Sequence, residues 1–165
     1  MITYRTGNVF DAPKPRVIVH ACNGQGVWGA GVAQQMKAHY PNAYAGYIRA
    51  LSHRRFAGRH VRGLGVWSEE DDGTIVVSLI TSLGYGRMTD PPDKIVEATH
   101  AGLETLLRVP ALAGSRCHAI HSPQINAGRF RVSWDRTSDV IEHFLAKHAK
   151  FVWTVWTPPA ISEVA

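Results

Sequence analysis

Residues 17–35 read VIVHACNGQGVWGAGVAQQ, and the rest of the fold is read outward from them. Val17, Ile18 and Val19 form a short apolar run between polar neighbours, the mark of a buried strand. Gly24, Gly26, Gly29 and Gly31 follow. From Ala30 to His39 come good helix formers with an apolar face at Val32, Ala33 and Met36. The expected unit is strand, glycine loop, helix. Glycine lets backbone approach a ligand closely. The next helix offers unpaired N–H groups and the positive end of its dipole. Together they make an anion site, most often for phosphate.

Toward the N-terminus, Ile2 to Arg5 alternates and predicts a first strand, ending at Gly7-Asn8. Pro13 and Pro15 mark a loop before the second strand. Downstream, Tyr40-Pro41-Asn42 ends the first helix, and Ala43 to His53 carries Tyr44, Tyr47, Ile48 and Leu51 at helical spacing. Val61 to Ser68 and Thr74 to Thr81 predict a hairpin around the acidic Asp72-Gly73 turn. Ser82 to Pro92 reads as a loop with Gly84 and Gly86. Asp93 to Arg108 then reads as a helix with Ile95, Val96, Thr99, Leu103, Leu106 and Leu107 on one side. A turn at Val109 to Ser115 leads to a short strand, Cys117 to His121, and a second glycine-containing loop, Gln124 to Phe130. Asp135 to Ala149 predicts a helix burying Val140, Ile141, Phe144 and Leu145, and Phe151 to Trp156 a last strand. Strands that alternate with helices after a hairpin predict an α/β fold, a mixed sheet sandwiched between helices.

A chain of 165 residues, 45% hydrophobic, suits one compact domain over residues 1–165. No apolar run reaches the ~18 residues of a membrane span. The opening MITYRTGNVF lacks the basic-then-apolar pattern of a signal peptide. Cys22 and Cys117 read as reduced thiols of an intracellular protein. Net charge is +5, and no Asp or Glu occurs from Ala12 to Ser68, where Lys14, Arg16, Lys37, Arg49, Arg54, Arg55, Arg59 and Arg62 all fall. A basic half around a phosphate-type loop favours an anionic ligand; the plainer alternative is a solvated basic face. No helix-turn-helix, zinc-finger or aromatic RNA-binding signature accompanies it. His118 and His121 point to opposite faces of a strand, and no zinc spacing exists, so no metal is expected.

Gly24-Gln25-Gly26-Val27-Trp28-Gly29 matches the dinucleotide pattern of spaced glycines. That pattern needs an acid about 20 residues on. The first acid is Glu69, and the segment at Ala43 to His53 is helical rather than a parallel strand. No Lys-Ser/Thr follows the glycines, which excludes the Walker loop.

Val19-His20-Ala21-Cys22-Asn23, then Gly26-Val27-Trp28-Gly29-Ala30-Gly31, then Pro123-Gln124-Ile125-Asn126-Ala127-Gly128-Arg129-Phe130, resemble the macrodomain family. They are most similar to its yeast-type ADP-ribose-1''-phosphate phosphatases and its terminal ADP-ribose protein glycohydrolase branch. The resemblance runs from Ile2 to Trp156. It implies a cleft for ADP-ribose at the strand ends. Asn8, with Val9 beside it, stands where the family usually has an Asp for the adenine amino group, and an Asn carbonyl can accept the same hydrogen bond. Gly29, Ala30 and Gly31, followed by Val32, match the first diphosphate loop. Gln124, Asn126, Ala127, Gly128, Arg129 and Phe130 match the second, with Phe130 packing on the distal ribose or adjoining phosphate.

Asn23 matches an Asn near the distal ribose, with Ala21 between it and His20, which matches the His of the phosphatases. His20 and Asn23 are therefore the catalytic candidates. An imidazole of ordinary pKa suits acid–base work or attack on phosphorus; the alternative is a core histidine satisfied by backbone. Trp28 either covers a ligand or packs in the core. Thr81 and Ser82 offer hydroxyls to phosphate. The glycohydrolase branch uses a Lys after the central strand and an Asp in the second loop; Leu79 to Leu83 carries no Lys, and Phe130 stands at the Asp position. Asp135 reads as a first-turn helix acid. The resemblance implies ADP-ribose binding and removal of the terminal phosphate of ADP-ribose-1''-phosphate. Hydrolysis of ADP-ribosyl adducts on protein or nucleic acid, and ADP-ribose reading without turnover, stay open. A cytoplasmic monomer without cofactor is the expectation.

Overall fold

The computed structural model describes residues 1–56, 58, 60–114 and 118–159. The elements are β1 (Ile2–Thr6), β2 (Arg16–Asn23), α1 (Gly31–His39), α2 (Pro41–Phe56), β3 (Gly65–Glu69), β4 (Thr74–Ser82), α3 (Pro92–Leu103), β5 (His118–Ser122), α4 (Trp134–Lys147) and β6 (Phe151–Thr157). The strands form one sheet in the order β1-β6-β5-β2-β4-β3. All neighbours are parallel except the β3–β4 hairpin at one edge.

The central strands are apolar along their length because both faces are covered. Side chains alternate between the faces. Val17 and Val19 of β2 and Val77 and Leu79 of β4 enter a core with Leu103 and Leu106 and with Ile141, Phe144 and Leu145 of α4. Ile18, Cys22, Val76 and Ile80 enter a second core with Met36 of α1 and Tyr47 and Leu51 of α2. The sheet is therefore sandwiched, α1 and α2 on one face, α3 and α4 on the other.

Several boundaries differ from the sequence expectation. β2 continues past Val19 to Asn23 because its polar end still pairs with β4, His20 opposite Ser78 and Cys22 opposite Ile80. Residues 61–64 are not strand: Gly63 turns the chain at φ 85° and gives its N–H to the Ile80 carbonyl, so β3 starts at Gly65. The α-helical part of the Asp93 to Arg108 segment ends at Leu103 and tightens into a 3-10 turn, Glu104–Leu107. In α4, Val140 is only half-buried and Thr137 takes a buried position. Arg59, Ser115 and Cys117 lie outside the described residues.

Arg16 is no part of a basic face. It is 5% exposed. Its guanidinium donates to the Phe10 and Ala12 carbonyls, to Thr74 Oγ1 and to the Tyr40 hydroxyl. Tyr40 donates in turn to Asp72 at 2.7 Å, and Lys14 pairs with the same carboxylate at 3.1 Å. The buried charge thus ties the start of β2 to the end of α1 and to the hairpin. Among the described residues, no helix is long and apolar enough to cross a membrane.

Candidate functional site

β2 and β5 are neighbours, yet the chain leaves β2 toward α1 on one face and leaves β5 toward α4 on the other. Where such connections diverge, a crevice opens beyond the carboxyl ends of the strands. A cleft of about 630 Å³ lies there. Its wall comes from His20 to Asn23 of β2, Val27 and residues 29–33, Tyr85 and Gly86, and residues 123–126 and 128–131. Among the described residues that line it there is no Asp or Glu.

The first glycine loop is folded by Asn23. A register shift between Cys22 and Asn23 turns that side chain out of the β2 ladder. Its Oδ1 accepts from the Gln25 N–H at 2.9 Å and its Nδ2 donates to the Val27 carbonyl at 2.6 Å. Tyr47 donates to the Asn23 carbonyl, Tyr44 donates to the Gly26 carbonyl, and Arg55 donates to the Gly24 carbonyl. The loop delivers the chain to α1 with Ala30 extended and no side-chain cap on the first turn. The first N–H groups of α1 are therefore left for an anion in the cleft.

The second loop is folded by Asn126, which sits at φ 66° and is buried. Asn tolerates that left-handed geometry better than most residues. Its Oδ1 accepts from Thr81 Oγ1 at 2.7 Å, and its Nδ2 donates to Thr99 Oγ1 at 2.9 Å. The loop is thus sewn to β4 and α3, and its exposed part carries Gly128, Arg129 and Arg131 along the cleft. Neither arginine has an ion pair among the described residues.

His20 forms part of the cleft wall and is 1% exposed. Its Nε2 lies 2.7 Å from Ser78 Oγ. Its Nδ1 is buried without a hydrogen-bond partner among the described residues, and its ring meets the edge of Trp28 at a centroid distance of 4.8 Å. Burial lowers its pKa to about 3. The near-neutral pKa that the sequence suggests is therefore corrected: His20 is a neutral imidazole at physiological pH. Burial likewise pushes the Cys22 thiol far up, so it stays protonated.

The cleft gathers His20, Ala21, Asn23, Gly29, Ala30, Gly31, Val32, Gln124, Asn126, Gly128, Arg129 and Phe130. Six expected residues lie elsewhere. Trp28, 2% exposed, is turned into the second core against Tyr44 and Tyr47, so it packs instead of covering a ligand. Thr81 and Ser82 are buried; Thr81 donates to Asn126, and Ser82 donates to the Gly84 carbonyl. Asn8 caps the 3-10 turn Val9–Asp11, its carbonyl accepting from the Phe10 N–H at 3.0 Å, and Val9 is buried beneath it. Ala127 is outside the wall. Among the described residues, no Lys or Arg of the basic half lines the cleft; Arg16 and Arg62 are bonded elsewhere, Arg62 to Asp90. Among the wall residues outside the expected set, Tyr85 and Arg131 bring the polar side chains that sequence reasoning missed. Their signals were an aromatic set between Gly84 and Gly86, and a basic residue just past the second loop.

Comparisons with known proteins bear on the fold and the family. The family model described as "Macro domain" matches residues 19–141. A protein of Neosartorya fischeri named ADP-ribose 1''-phosphate phosphatase is 31% identical, over 86% of this chain and 88% of that protein. One of Chaetomium globosum with the same name is 30% identical, over 86% and 82%. Among solved structures, the macrodomain of Mycobacterium tuberculosis DarG superposes with a TM-score of 0.76 at 20% identity, covering 96% of this chain and 98% of that one.

Proposed function

Since this chain belongs to the macrodomain family, we propose that it binds ADP-ribose and removes the terminal phosphate of ADP-ribose-1''-phosphate. The whole of residues 1–165 is read as one such domain acting as a cytoplasmic monomer. The observation that carries the proposal is the acid-free cleft, which sets the uncapped start of α1 opposite the unpaired Arg129 and Arg131 beside a buried neutral imidazole. The names of the two fungal relatives supply the reaction.

In this reading the backbone of Gly29 to Gly31 and Gly128 holds the diphosphate, and Phe130 packs on the distal ribose. His20 is the catalytic candidate. With Nε2–H donating to Ser78, Nδ1 is the ring atom left to take the proton of the water that attacks phosphorus once that buried atom is reached from the cleft, while the P–O bond to the anomeric oxygen breaks and that oxygen takes a proton from solvent. Asn23 acts as a positioning group, because its amide is committed to the loop. A reader without turnover is the second reading, favoured by the burial of His20. Purified protein incubated with ADP-ribose-1''-phosphate separates the two: release of inorganic phosphate is expected, and binding without release selects the reader. Neither binding nor release overturns the assignment.

A further inference from the structure

Arg131 is held by its loop in a backbone conformation that disfavours any side chain. Its φ is 57°, in the left-handed region, which costs a non-glycine residue about 1–2 kcal/mol. The loop enforces this geometry. The Arg131 N–H donates to the Gly128 carbonyl at 3.1 Å, and the next N–H, of Val132, donates to the Asn126 carbonyl at 2.9 Å. Val132, 1% exposed, anchors the chain beneath. A glycine would suit position 131 better, yet the position carries an exposed guanidinium on the cleft wall with no ion pair among the described residues.

The other arginine of the loop has a different place. Arg129 Nε lies 3.8 Å from where a Cβ on Gly31 would sit, at the start of α1. Arg129 therefore stands with the helix terminus at one anion position. Arg131 is a second cation, two residues further along a loop that reverses direction between them. We propose that Arg131 is the specificity residue for the terminal phosphomonoester, the group that separates ADP-ribose-1''-phosphate from ADP-ribose. This rests on the ADP-ribose reading above. A diphosphate meets the α1 terminus and Arg129. A ligand with a second, dianionic centre is needed to engage Arg131 as well, and a guanidinium fork matches phosphate oxygens two at a time.

The test compares wild type, Arg131→Gly and Arg131→Lys. For each, the KM for ADP-ribose-1''-phosphate and the inhibition constant of ADP-ribose are measured, together with the thermal midpoint. Arg131→Gly is expected to raise the KM about 10- to 100-fold, the worth of a charge-assisted contact, while ADP-ribose inhibition changes less than about threefold and the midpoint holds or rises. Arg131→Lys keeps a point charge and falls between. Equal weakening of both ligands, or none of either, overturns the assignment. If the wild type binds without releasing phosphate, calorimetry with the same two ligands gives the same comparison, so loss of the phosphatase reading and loss of the Arg131 assignment are separate results. A wild type that binds neither ligand overturns both.

Discussion

At the scale of single residues, the site rests on one histidine whose environment keeps it neutral. His20 is shut off from solvent between Ser78 and Trp28, and it is this burial that lowers its pKa. A base of this kind is available wherever the protein is folded. General-base help is worth about 10²- to 10⁴-fold for a base matched to the operating pH; burial makes His20 a weaker base, so His20→Ala is expected to lower kcat/KM for phosphate release by the lower end of that range, on the order of 10²-fold or less. The ratio of wild-type to His20→Ala kcat/KM is also expected to stay constant from pH 8 to pH 5.5. Taking the ratio cancels ionisation of the substrate phosphate. A histidine of ordinary pKa, about 6.5, protonates within that range and loses its advantage toward the acid end. A ratio that collapses below pH 6.5 would show that His20 titrates normally and that its burial is relieved in solution. A ratio of one at every pH would remove it from the chemistry.

At the scale of elements, the first glycine loop separates two jobs that look alike in sequence. Gly29 has ordinary backbone geometry, and a Cβ there meets only Val27 Cγ1 at 3.5 Å. Gly31 opens α1 at φ 61°. Gly29→Glu is thus expected to leave the thermal midpoint nearly unchanged and to abolish measurable ADP-ribose binding by calorimetry, since it puts a carboxylate where the diphosphate approaches. Gly31→Ala is expected to lower stability by about 1–2 kcal/mol in urea unfolding. Unchanged affinity in Gly29→Glu would show that this loop does not face the ligand. The strand–loop–helix unit, the hairpin and the second loop were legible because apolar period and glycine spacing report backbone directly. Side-chain direction inside an irregular loop has no period. For Trp28 the sequence leaves ligand cover and core packing equally open, and Tyr44 and Tyr47 of α2 beneath it decide for packing. Arg131 was missed for the same reason: its orientation follows from a left-handed φ imposed by Asn126 and Gly128, which residue type does not announce. Thr81 and Ser82 carry the right groups, but their place in the central strand turns both into internal partners of the loops.

At the scale of the whole molecule, one face of the sheet, the one covered by α1 and α2, carries two buried imidazoles that are a liability in acid. His20 lies against the α1–α2 face, and His121 of β5 is buried where it accepts a hydrogen bond from the Trp156 indole at 3.0 Å. The His121 pKa is lowered by burial first, then by the charges of Arg16 and Arg5. For both groups the unfolded chain takes up a proton more readily than the folded one. Stability is therefore complete above the unfolded pKa near 6.5 and declines as pH falls, for His20 down to about pH 3. Between pH 6 and pH 5 the unfolded His20 is largely protonated and the folded one is not, so it contributes a slope of up to about 1.4 kcal/mol per pH unit. Asp72 works at lower pH. Burial opposes its ionisation, but hydrogen bonds from Tyr40, Thr74 and Lys14 hold the carboxyl well below the usual carboxylate range, so its loss comes only beneath this window. Urea midpoints measured from pH 7.5 to pH 5 should accordingly fall for the wild type. His20→Gln and His121→Gln should each flatten the fall, and the double variant should flatten it most, whatever each substitution does to stability at pH 7.5. An identical slope in all four proteins would mean that neither imidazole is held neutral by the fold, and the neutral-base role of His20 would lose its physical ground.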